Sequence, residues 1–366
     1  MCRDLVSHNG CLYASLGGGS GATEFGQIWV LERDRWRSLS LAGHAGERIG
    51  GRSRLVRHGG RVLCGLNYPE SRSAEIHVLD AEADAPGPAH INADLAEHGV
   101  AAITSLWSVE GTLFVAGTRV IGVGQEPVIL AFDAVGARDL TGREVPGGQA
   151  FRDAVYYPYC MSVFEGALII GAFNQPHPRN RVGQVWRWTD DAGWDLISGG
   201  APDDGRWDKD SSSVLAMSVY RGRLIVALMR ARQTPPRYSS VWAWDGGAWE
   251  PIFGDLEGSP LALATHYNAL GVVDGTLYCG IGSFYRDWHT PNLRGCPSLW
   301  RLTASGDWGM VGGEGLNGSW KADDFEPGPG GQCPYFYSII EHAGWVFVAT
   351  TSRIGGGCAQ IWRLSR

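Results

Sequence analysis

The sequence lacks the features that mark membrane proteins, secreted proteins and general nucleic-acid-binding proteins. None of its apolar runs approaches the roughly 20 residues that a membrane-spanning helix needs. The first ten residues, MCRDLVSHNG, do not show the basic and then apolar pattern of a secretory signal. The formal net charge is −7, whereas nucleic-acid binding requires a basic field. We therefore expect a cytoplasmic protein with no membrane or nucleic-acid partner.

Paired metal and redox ligands are also missing. The eight cysteines occur singly, without a Cys-x-x-Cys pair, and no two histidines have His-x-x-x-His spacing. The chain has no Gly-x-Ser-x-Gly elbow, P-loop or dinucleotide fingerprint. We predict neither a metal nor a cofactor. Cys64 and Cys279 lie within apolar strand patterns, so we expect them to be small core residues.

One short phrase recurs seven times along the 366 residues. The copies are NGCLYAS, GGRVLCG, EGTLFVA, EGALIIG, RGRLIVA, DGTLYCG and AGWVFVA, and their glycines are spaced by 50 to 69 residues. The anchoring glycines are Gly10, Gly60, Gly111, Gly166, Gly222, Gly275 and Gly344. A small residue follows each glycine by five positions: Ser15, Gly65, Ala116, Gly171, Ala227, Gly280 and Ala349. Such periodicity indicates a repeat fold.

The central residue of a second phrase, as in QIWVL and SVWAW, lies 17 to 25 residues after each anchoring glycine, and in most repeats a turn and another Trp come next. Each repeat therefore predicts four strands: A before the glycine, B after it, C at the second phrase, and D from the last Trp. Four antiparallel strands in about 50 residues are typical of a β-propeller blade. We predict one all-β domain over residues 1–366, a seven-bladed β-propeller with four-stranded antiparallel blades. The predicted blades are 3–40, 53–92, 103–141, 157–199, 213–254, 266–313 and 335–366.

The seventh repeat leaves alternatives open. Its pattern ends at a C strand, so this blade is either three-stranded or completed by the few residues before the first A strand. Six blades plus an irregular closing segment form another alternative. The match of AGWVFVAT and QIWRL to the repeat disfavours it.

The pattern resembles the broad kelch and Asp-box propeller group over nearly the whole chain. The resemblance lies in the glycine phrase of strand B and in the C–D turns, where AWDGGAW (residues 243–249) is similar to a degenerate Asp box. The leading Ser of an Asp box is missing, and no repeat has the full kelch arrangement. The resemblance supports the fold and implies no activity.

The repeat identifies 13 of the 16 tryptophans as structural, because they recur at fixed strand positions. One strand-C position is shared by Trp29, Trp186, Trp242, Trp300 and Trp362, which we expect to pack between blades. The tryptophans that remain as candidates for ligand contact, all in connections, are Trp207, Trp288 and Trp320.

Arginine carries almost all of the positive charge, because only Lys209 and Lys321 are lysines among 31 basic residues. In propellers the B–C and D–A connections share the face on which ligands usually bind. The predicted B–C connections, the third of which is 118–127, hold ten arginines and four acids. Guanidinium groups bind carboxylates and phosphates in a two-pronged way, so these loops predict an anion site unless acids of the D–A connections pair with them. The arginines that we expect to bind substrate are Arg119, Arg230, Arg232, Arg286 and Arg353.

Histidine and tyrosine on the same predicted face supply acid–base groups. When YYPYCMS, THYNALG and CPYFYS are aligned on their last residue, Tyr159, Asn268 and Tyr335 share one position before strand A. A His or Tyr beside an Arg is suited to proton abstraction from an anionic substrate. The expected catalytic residues are His289, Tyr285, His266, His177 and Tyr159. The expected further substrate contacts are Trp288, Trp207, Trp320, Asn268 and Tyr335.

Two functions remain open. The leading hypothesis is a monomeric propeller that binds an anionic small molecule or acidic sugar in the funnel at the channel mouth, with lyase or hydrolase chemistry. Uronate-cleaving lyases on propeller folds use a similar set of groups, which is an analogy of fold only. The alternative is a non-catalytic sugar-binding or protein-binding scaffold. Residues 282–297 form the longest predicted B–C connection and are a candidate lid.

Overall fold

The computed structural model describes residues 2–16, 27–39, 50–68, 73–79, 87–89, 91–122, 124–173, 183–198, 211–230, 240–254, 266–282, 298–312, 335–351 and 359–364. These residues form antiparallel strands with two short helices. None of the described helices is long and apolar enough to cross a membrane. The chain divides into two compact units. Unit 1 is Met1–Ile170, Arg187–Asp195 and His342–Gly344, and unit 2 is Gly171–Trp186, Leu196–Glu341 and Trp345–Arg366.

The first three repeats each form a four-stranded antiparallel sheet whose strands are adjacent in chain order. In the first repeat these are β1 (Cys2–His8), β2 (Cys11–Leu16), β3 (Gln27–Glu32) and β4 (Arg35–Leu39). The second has β5 (Gly50–His58), β6 (Arg61–Tyr68), β7 (Ser73–Leu79) and β8 (Gly87–Pro88). The third has β9 (Val100–Val109), β10 (Thr112–Ile121), β11 (Gly124–Phe132) and β12 (Ala137–Asp139). The helices α1 (Asn92–Glu97) and α2 (Gly148–Ala154) are too short to give a helical period in the sequence.

The next three repeats supply the strands of one twelve-stranded sheet, and the last forms a sheet of three strands within the described residues. The fourth repeat has β13 (Tyr157–Phe164), β14 (Ala167–Phe173), β15 (Val185–Thr189) and β16 (Gly193–Ser198). The fifth has β17 (Ser211–Tyr220), β18 (Arg223–Arg230), β19 (Val241–Trp244) and β20 (Trp249–Phe253). The sixth has β21 (His266–Val273), β22 (Thr276–Gly282), β23 (Ser298–Leu302) and β24 (Trp308–Gly312). The seventh has β25 (Tyr335–His342), β26 (Trp345–Thr351) and β27 (Ala359–Leu364).

The anchoring glycines form the turns between strands A and B, as predicted. Each is the second residue of a two-residue turn, and both turn residues have positive φ. That conformation is typical of a type I′ turn, which fits the right-handed twist of a hairpin and favours glycine. The seven turns are Asn9–Gly10, Gly59–Gly60, Glu110–Gly111, Glu165–Gly166, Arg221–Gly222, Asp274–Gly275 and Ala343–Gly344.

The hydrophobic cores lie between adjacent repeats. In unit 1, Ile28 of the first repeat and Cys64 of the second belong to one buried cluster. In unit 2, Ile225 of the fifth repeat and Cys279 of the sixth belong to another. Both cysteines are fully buried, which confirms that they are core residues. Burial raises the pKa of each thiol far above its usual value, so neither is a reactive thiolate.

The small residue of strand B is a packing requirement. A Cβ added to Gly65 on β6 would lie 3.1 Å from Ile103 on β9. A Cβ added to Gly280 on β22 would lie 2.6 Å from the ring of Phe336, a fully buried residue of β25. In both places the next repeat's strand A presses on strand B, and a close-packed interior has no spare volume. Fully buried small residues fill the same position elsewhere: Ser15, Ala116, Ala227 and Ala349.

The tryptophans that begin strand D join one repeat to the previous one by hydrogen bonds. In three repeats the indole N–H donates to a backbone carbonyl that lies 52 to 56 residues earlier. The pairs are Trp194 to Leu140 at 2.7 Å, Trp249 to Ile197 at 3.1 Å and Trp308 to Ile252 at 3.0 Å. The strand-C residue Trp300 packs 5.5 Å from Phe253 of the preceding repeat. These contacts agree with the structural role predicted for Trp194, Trp249, Trp300 and Trp308. Trp36, which the repeat also marks as structural, is 38% exposed.

Candidate functional site

Most of the residues predicted to form the site lie outside the described part of the chain. These are His177, Tyr285, His289, Arg232, Arg286, Arg353, Trp207, Trp288 and Trp320. For four others only the backbone is described: His266 and Asn268 on β21, Arg230 on β18 and Tyr335 on β25. Two predicted residues, Arg119 and Tyr159, have described side chains. The roles proposed for all of these residues remain predictions.

Asn268 occupies a β-bulge that recurs in strand A. In β21, Tyr267 pairs with Ile281 and Ala269 pairs with Gly280, so Asn268 is the extra residue between them. The extra residue is Thr104 in β9 and Leu215 in β17. All three lie seven residues before the turn glycine of their own repeat, as does Tyr159. A bulge changes the direction of a side chain. The side chains at this strand-A position, seven residues before the turn glycine, are therefore directed differently from those at the regular core positions around it.

The alignment that placed Tyr335 with Tyr159 and Asn268 is wrong by two residues. The turn glycine of the seventh repeat is Gly344. Counting seven residues back from it gives Tyr337. The error arose because the phrase was aligned on a small residue, whereas the hairpin turn fixes the strand register.

Arg119 lies on a β-strand rather than in a loop. The predicted connection 118–127 continues the ladder between β10 and β11, in which Arg119 pairs with Glu126 and Ile121 pairs with Gly124. The Arg119 side chain forms ion pairs with Glu126 at 2.5 Å and with Asp139 at 2.9 Å. Burial lowers the pKa of Arg119, but the hydrogen bonds to these two carboxylates outweigh it and raise the pKa overall. The charge is therefore already balanced by the protein.

A second arginine, Arg54, lies in strand A of the second repeat and was missed in the sequence. It belongs to β5, is partly buried, and pairs with Gly65 across the hairpin. Its Nε donates a hydrogen bond of 2.7 Å to the Thr104 carbonyl of the next repeat. Its guanidinium carbon lies 5.3 Å from the centre of the Tyr159 ring, within the range of a cation–π contact. No ion pair joins Arg54 to the described residues.

Hydrogen bonds hold the strands around Arg54 in place. The Thr104 hydroxyl donates to the Pro158 carbonyl, next to Tyr159. Asn67 forms two bonds with the backbone of Ile103, of 2.7 and 3.0 Å, and so ties strand B of the second repeat to strand A of the third. This network fixes the backbone near Arg54 and Tyr159, and such preorganisation favours binding. The sequence signal was Arg54 itself, a charged residue six positions before a turn glycine.

The described residues form no group of three His, Cys, Asp or Glu that could hold a metal ion. The groups around the Arg54 guanidinium are the Tyr159 ring and backbone carbonyls such as that of Thr104. The Nη groups of Arg54 form no hydrogen bond to the described residues. A guanidinium of this kind beside an aromatic ring suits a carboxylate or phosphate carried on a small organic molecule.

Comparison with known proteins gives the fold without a family. No family model matches the chain, and no curated protein matches it significantly. Hydrazine synthase from Kuenenia stuttgartiensis is similar with a TM-score of 0.55 and 12% identity, over 99% of this chain and 95% of that one. Chaetomium thermophilum Sqt1, solved with the N-terminus of ribosomal protein L10, gives 0.52 and 9%, over 99% and 96%.

A Bacteroides uniformis protein proposed to be a 6-phosphogluconolactonase gives a TM-score of 0.51 and 13% identity, over 96% of this chain and 99% of that one. These neighbours have β-propeller-like folds. At such low identity the likeness shows the fold alone. The chain therefore has an all-β, β-propeller-like fold.

Proposed function

We propose that the chain is a single-domain, seven-bladed β-propeller, with a three-stranded seventh blade, that binds an anionic small molecule or acidic sugar. The ligand binds where strand A begins, at the end of the strands that carries the B–C connections. The observation that carries this proposal is the partly buried guanidinium of Arg54 beside Tyr159.

Contrast with Arg119 supports a ligand at Arg54. Both arginines are partly buried, and removal of a charge from water is unfavourable unless the charge is paired. Arg119 meets two carboxylates of its own repeat. Among the described residues Arg54 meets one carbonyl and an aromatic ring, neither of which uses its two Nη groups, so we propose that these groups bind the anion. An anionic ligand supplies the missing counter-charge.

The proposed chemistry is that of a lyase or hydrolase in which His289, Tyr285 or Tyr159 transfers a proton and arginines hold the anion. Arg230, Arg286 and Arg353 are proposed as further anion-binding residues of unit 2. Turnover of a uronate or of a carboxylic ester that disappears in a folded His289→Ala variant supports an enzyme. Binding without turnover supports the alternative, a non-catalytic scaffold.

The binding test compares two arginines of the same strand. Arg54→Met removes the charge and keeps most of the side-chain length, and Arg57→Met does the same at an exposed position of β5. Calorimetric titration with galacturonate, citrate and a sugar phosphate is expected to show at least tenfold weaker binding for Arg54→Met. Arg57→Met is expected to bind as the wild type does.

Arg54→Lys separates charge from geometry, because an ammonium cannot donate two parallel hydrogen bonds. We expect an intermediate affinity for this variant. Melting temperatures of all variants check the fold, since Arg54 also donates to Thr104. Unchanged affinity in a folded Arg54→Met variant would overturn the proposal.

A further inference from the structure

A groove lies at the other end of the strands of the first two repeats, where the A–B turns are found. It has a volume of about 1340 Å³ and lies wholly within unit 1. Its walls include the turn at His8, the β3–β4 turn with its flanking arginines, and Arg61 after the A–B turn of the second repeat. His8 Nε2 lies 2.9 Å from the Gly60 carbonyl and joins the two repeats at this groove.

The groove is basic although the whole chain is acidic. Four arginines and one glutamate line it, whereas the net charge of the protein is −7. Arg37 pairs with Glu32 at 2.8 Å. The other three, Arg33, Arg35 and Arg61, are exposed and form no ion pair within the described part of the chain. Glu32, the one carboxylate among the residues that line the groove, is already paired with Arg37, so the lining carries an excess of positive charge.

The groove also presents an exposed aromatic surface. Trp36, which lines it, is 38% exposed, whereas the strand-D residue Trp194 is 6% exposed. Unlike Trp194, Trp249 and Trp308, Trp36 donates no hydrogen bond to the described residues. An exposed Trp among arginines is the composition that protein–protein interfaces favour.

Size and charge together identify the ligand class. Small-molecule pockets usually have volumes of about 300–1000 Å³ and are largely enclosed, so this groove suits an extended chain better. We propose that it binds an acidic peptide segment of a partner protein, whose carboxylates meet Arg33, Arg35 and Arg61 and whose apolar side chain packs on Trp36. This surface is independent of Arg54 and of any reaction.

Fluorescence anisotropy of a labelled peptide tests this proposal with the full chain. The probe is a ten-residue peptide of Asp and Glu with one central Phe, and its counterpart replaces every carboxylate by the amide. We expect the acidic peptide to bind at least tenfold more tightly than the neutral one. Binding should weaken as salt is raised, because exposed charges are screened.

The variants locate the binding surface. The triple change R33Q, R35Q and R61Q is expected to weaken peptide binding at least tenfold, and Trp36→Ala to weaken it less. Arg57→Gln, at an exposed position outside the groove lining, and Arg54→Met are expected to bind as the wild type does. The change in tryptophan fluorescence on addition of the peptide, compared between the wild type and Trp36→Ala, gives a second measurement that requires no arginine variant.

Three outcomes would overturn the proposal. The first is equal binding by the triple variant. The second is equal loss of affinity in the triple variant for pyrophosphate or a short DNA strand, which would show a general anion site. The third is that the peptide binds only after Asp80, Glu82 and Asp84, the acids that follow Leu79 in the sequence, are changed to amides. This result would mean that the protein's own acidic segment, and not a partner protein, is the ligand of the groove.

Discussion

Strand A and strand B of each repeat are hydrogen-bonded partners, but they differ in what varies between repeats. The strand-B position five residues after the turn glycine is always small. The strand-A position six residues before that glycine varies freely: Asp4, Arg54, Ser105, Cys160, Ala216, Ala269 and Ser338. Arg54 pairs directly with Gly65. The strand-B position that is always small and the strand-A position that varies are therefore neighbours in the hairpin.

Packing explains the difference. The strand-B residue faces the next repeat, where Ile103 or Phe336 leaves no room for a larger side chain. At the strand-A position, two of the polar residues reach the next repeat through hydrogen bonds. Asp4 accepts one from the Leu55 amide at 3.2 Å, and Arg54 donates one to the Thr104 carbonyl at 2.7 Å. Positions that repeat therefore specify the fold, and positions that break the repeat are candidates for function.

The largest expected loss of stability comes from enlarging the small strand-B residue. In Gly280→Ala the new methyl group enters the space of the Phe336 ring, and the overpacking should cost about 3 kcal/mol of unfolding free energy. Gly247→Ala is the matched control, because its nearest neighbour would be the Asp245 Oδ1 at 3.7 Å. Calorimetric melting of both variants measures the difference. Equal melting temperatures would remove the packing explanation.

The next effect tests whether Arg119 is a structural arginine. Arg119→Met leaves the carboxylates of Glu126 and Asp139 without their cation in a partly buried site, and should cost about 2 kcal/mol. The Arg37–Glu32 pair is exposed, so Arg37→Met should cost less than about 0.5 kcal/mol. Urea unfolding of the two variants gives the comparison. A ligand-binding role for Arg119 without a structural one predicts that Arg119→Met costs no more than Arg37→Met.

A smaller effect compares two strand-D tryptophans. Trp308→Phe keeps a ring stacked 4.3 Å from Phe253 but loses the hydrogen bond to the Ile252 carbonyl, which should cost about 1 kcal/mol. Trp36→Phe should leave stability almost unchanged, because Trp36 is exposed. Thermal melts check both. Similar losses would show that Trp36 is also a packing residue.

The smallest effect depends on pH. His342 Nδ1 lies 2.9 Å from the Ser7 hydroxyl, and burial lowers the pKa of His342. The folded state therefore prefers neutral His342. Its contribution to stability is present above the unfolded-state pKa of about 6.5 and is lost as the pH falls through the lower folded-state pKa. Between pH 8 and pH 5 the melting temperature of His342→Asn should fall less than that of the wild type. An equal fall in the two proteins would contradict this.

The repeat made much of the fold readable from the sequence. The glycine at every A–B turn, the small residue on strand B and the strand-D Trp of the fourth, fifth and sixth repeats are each dictated by backbone conformation or packing. The ladder at residues 118–127 was missed because its two glycines and its proline are typical of a loop. The pairing of Arg119 with Glu126 shows that they belong to a strand.

The candidate site was less predictable because its residues do not recur from repeat to repeat. Function departs from the repeat, so periodicity assigns no role to Arg54, and only the neighbouring strands show that it meets Tyr159. Aligning the seventh repeat on its turn glycine would have placed Tyr337, rather than Tyr335, at the position of Tyr159 and Asn268. The two short helices gave no signal because a helix of six or seven residues completes fewer than two turns.

A crystal structure of the protein soaked with galacturonate or citrate tests the proposed site at Arg54 most directly. We expect a carboxylate within hydrogen-bond distance of the Arg54 Nη groups, close to the Tyr159 ring. A structure in which a carboxylate of the chain itself pairs with Arg54, and in which the soaked anion binds elsewhere, would contradict it.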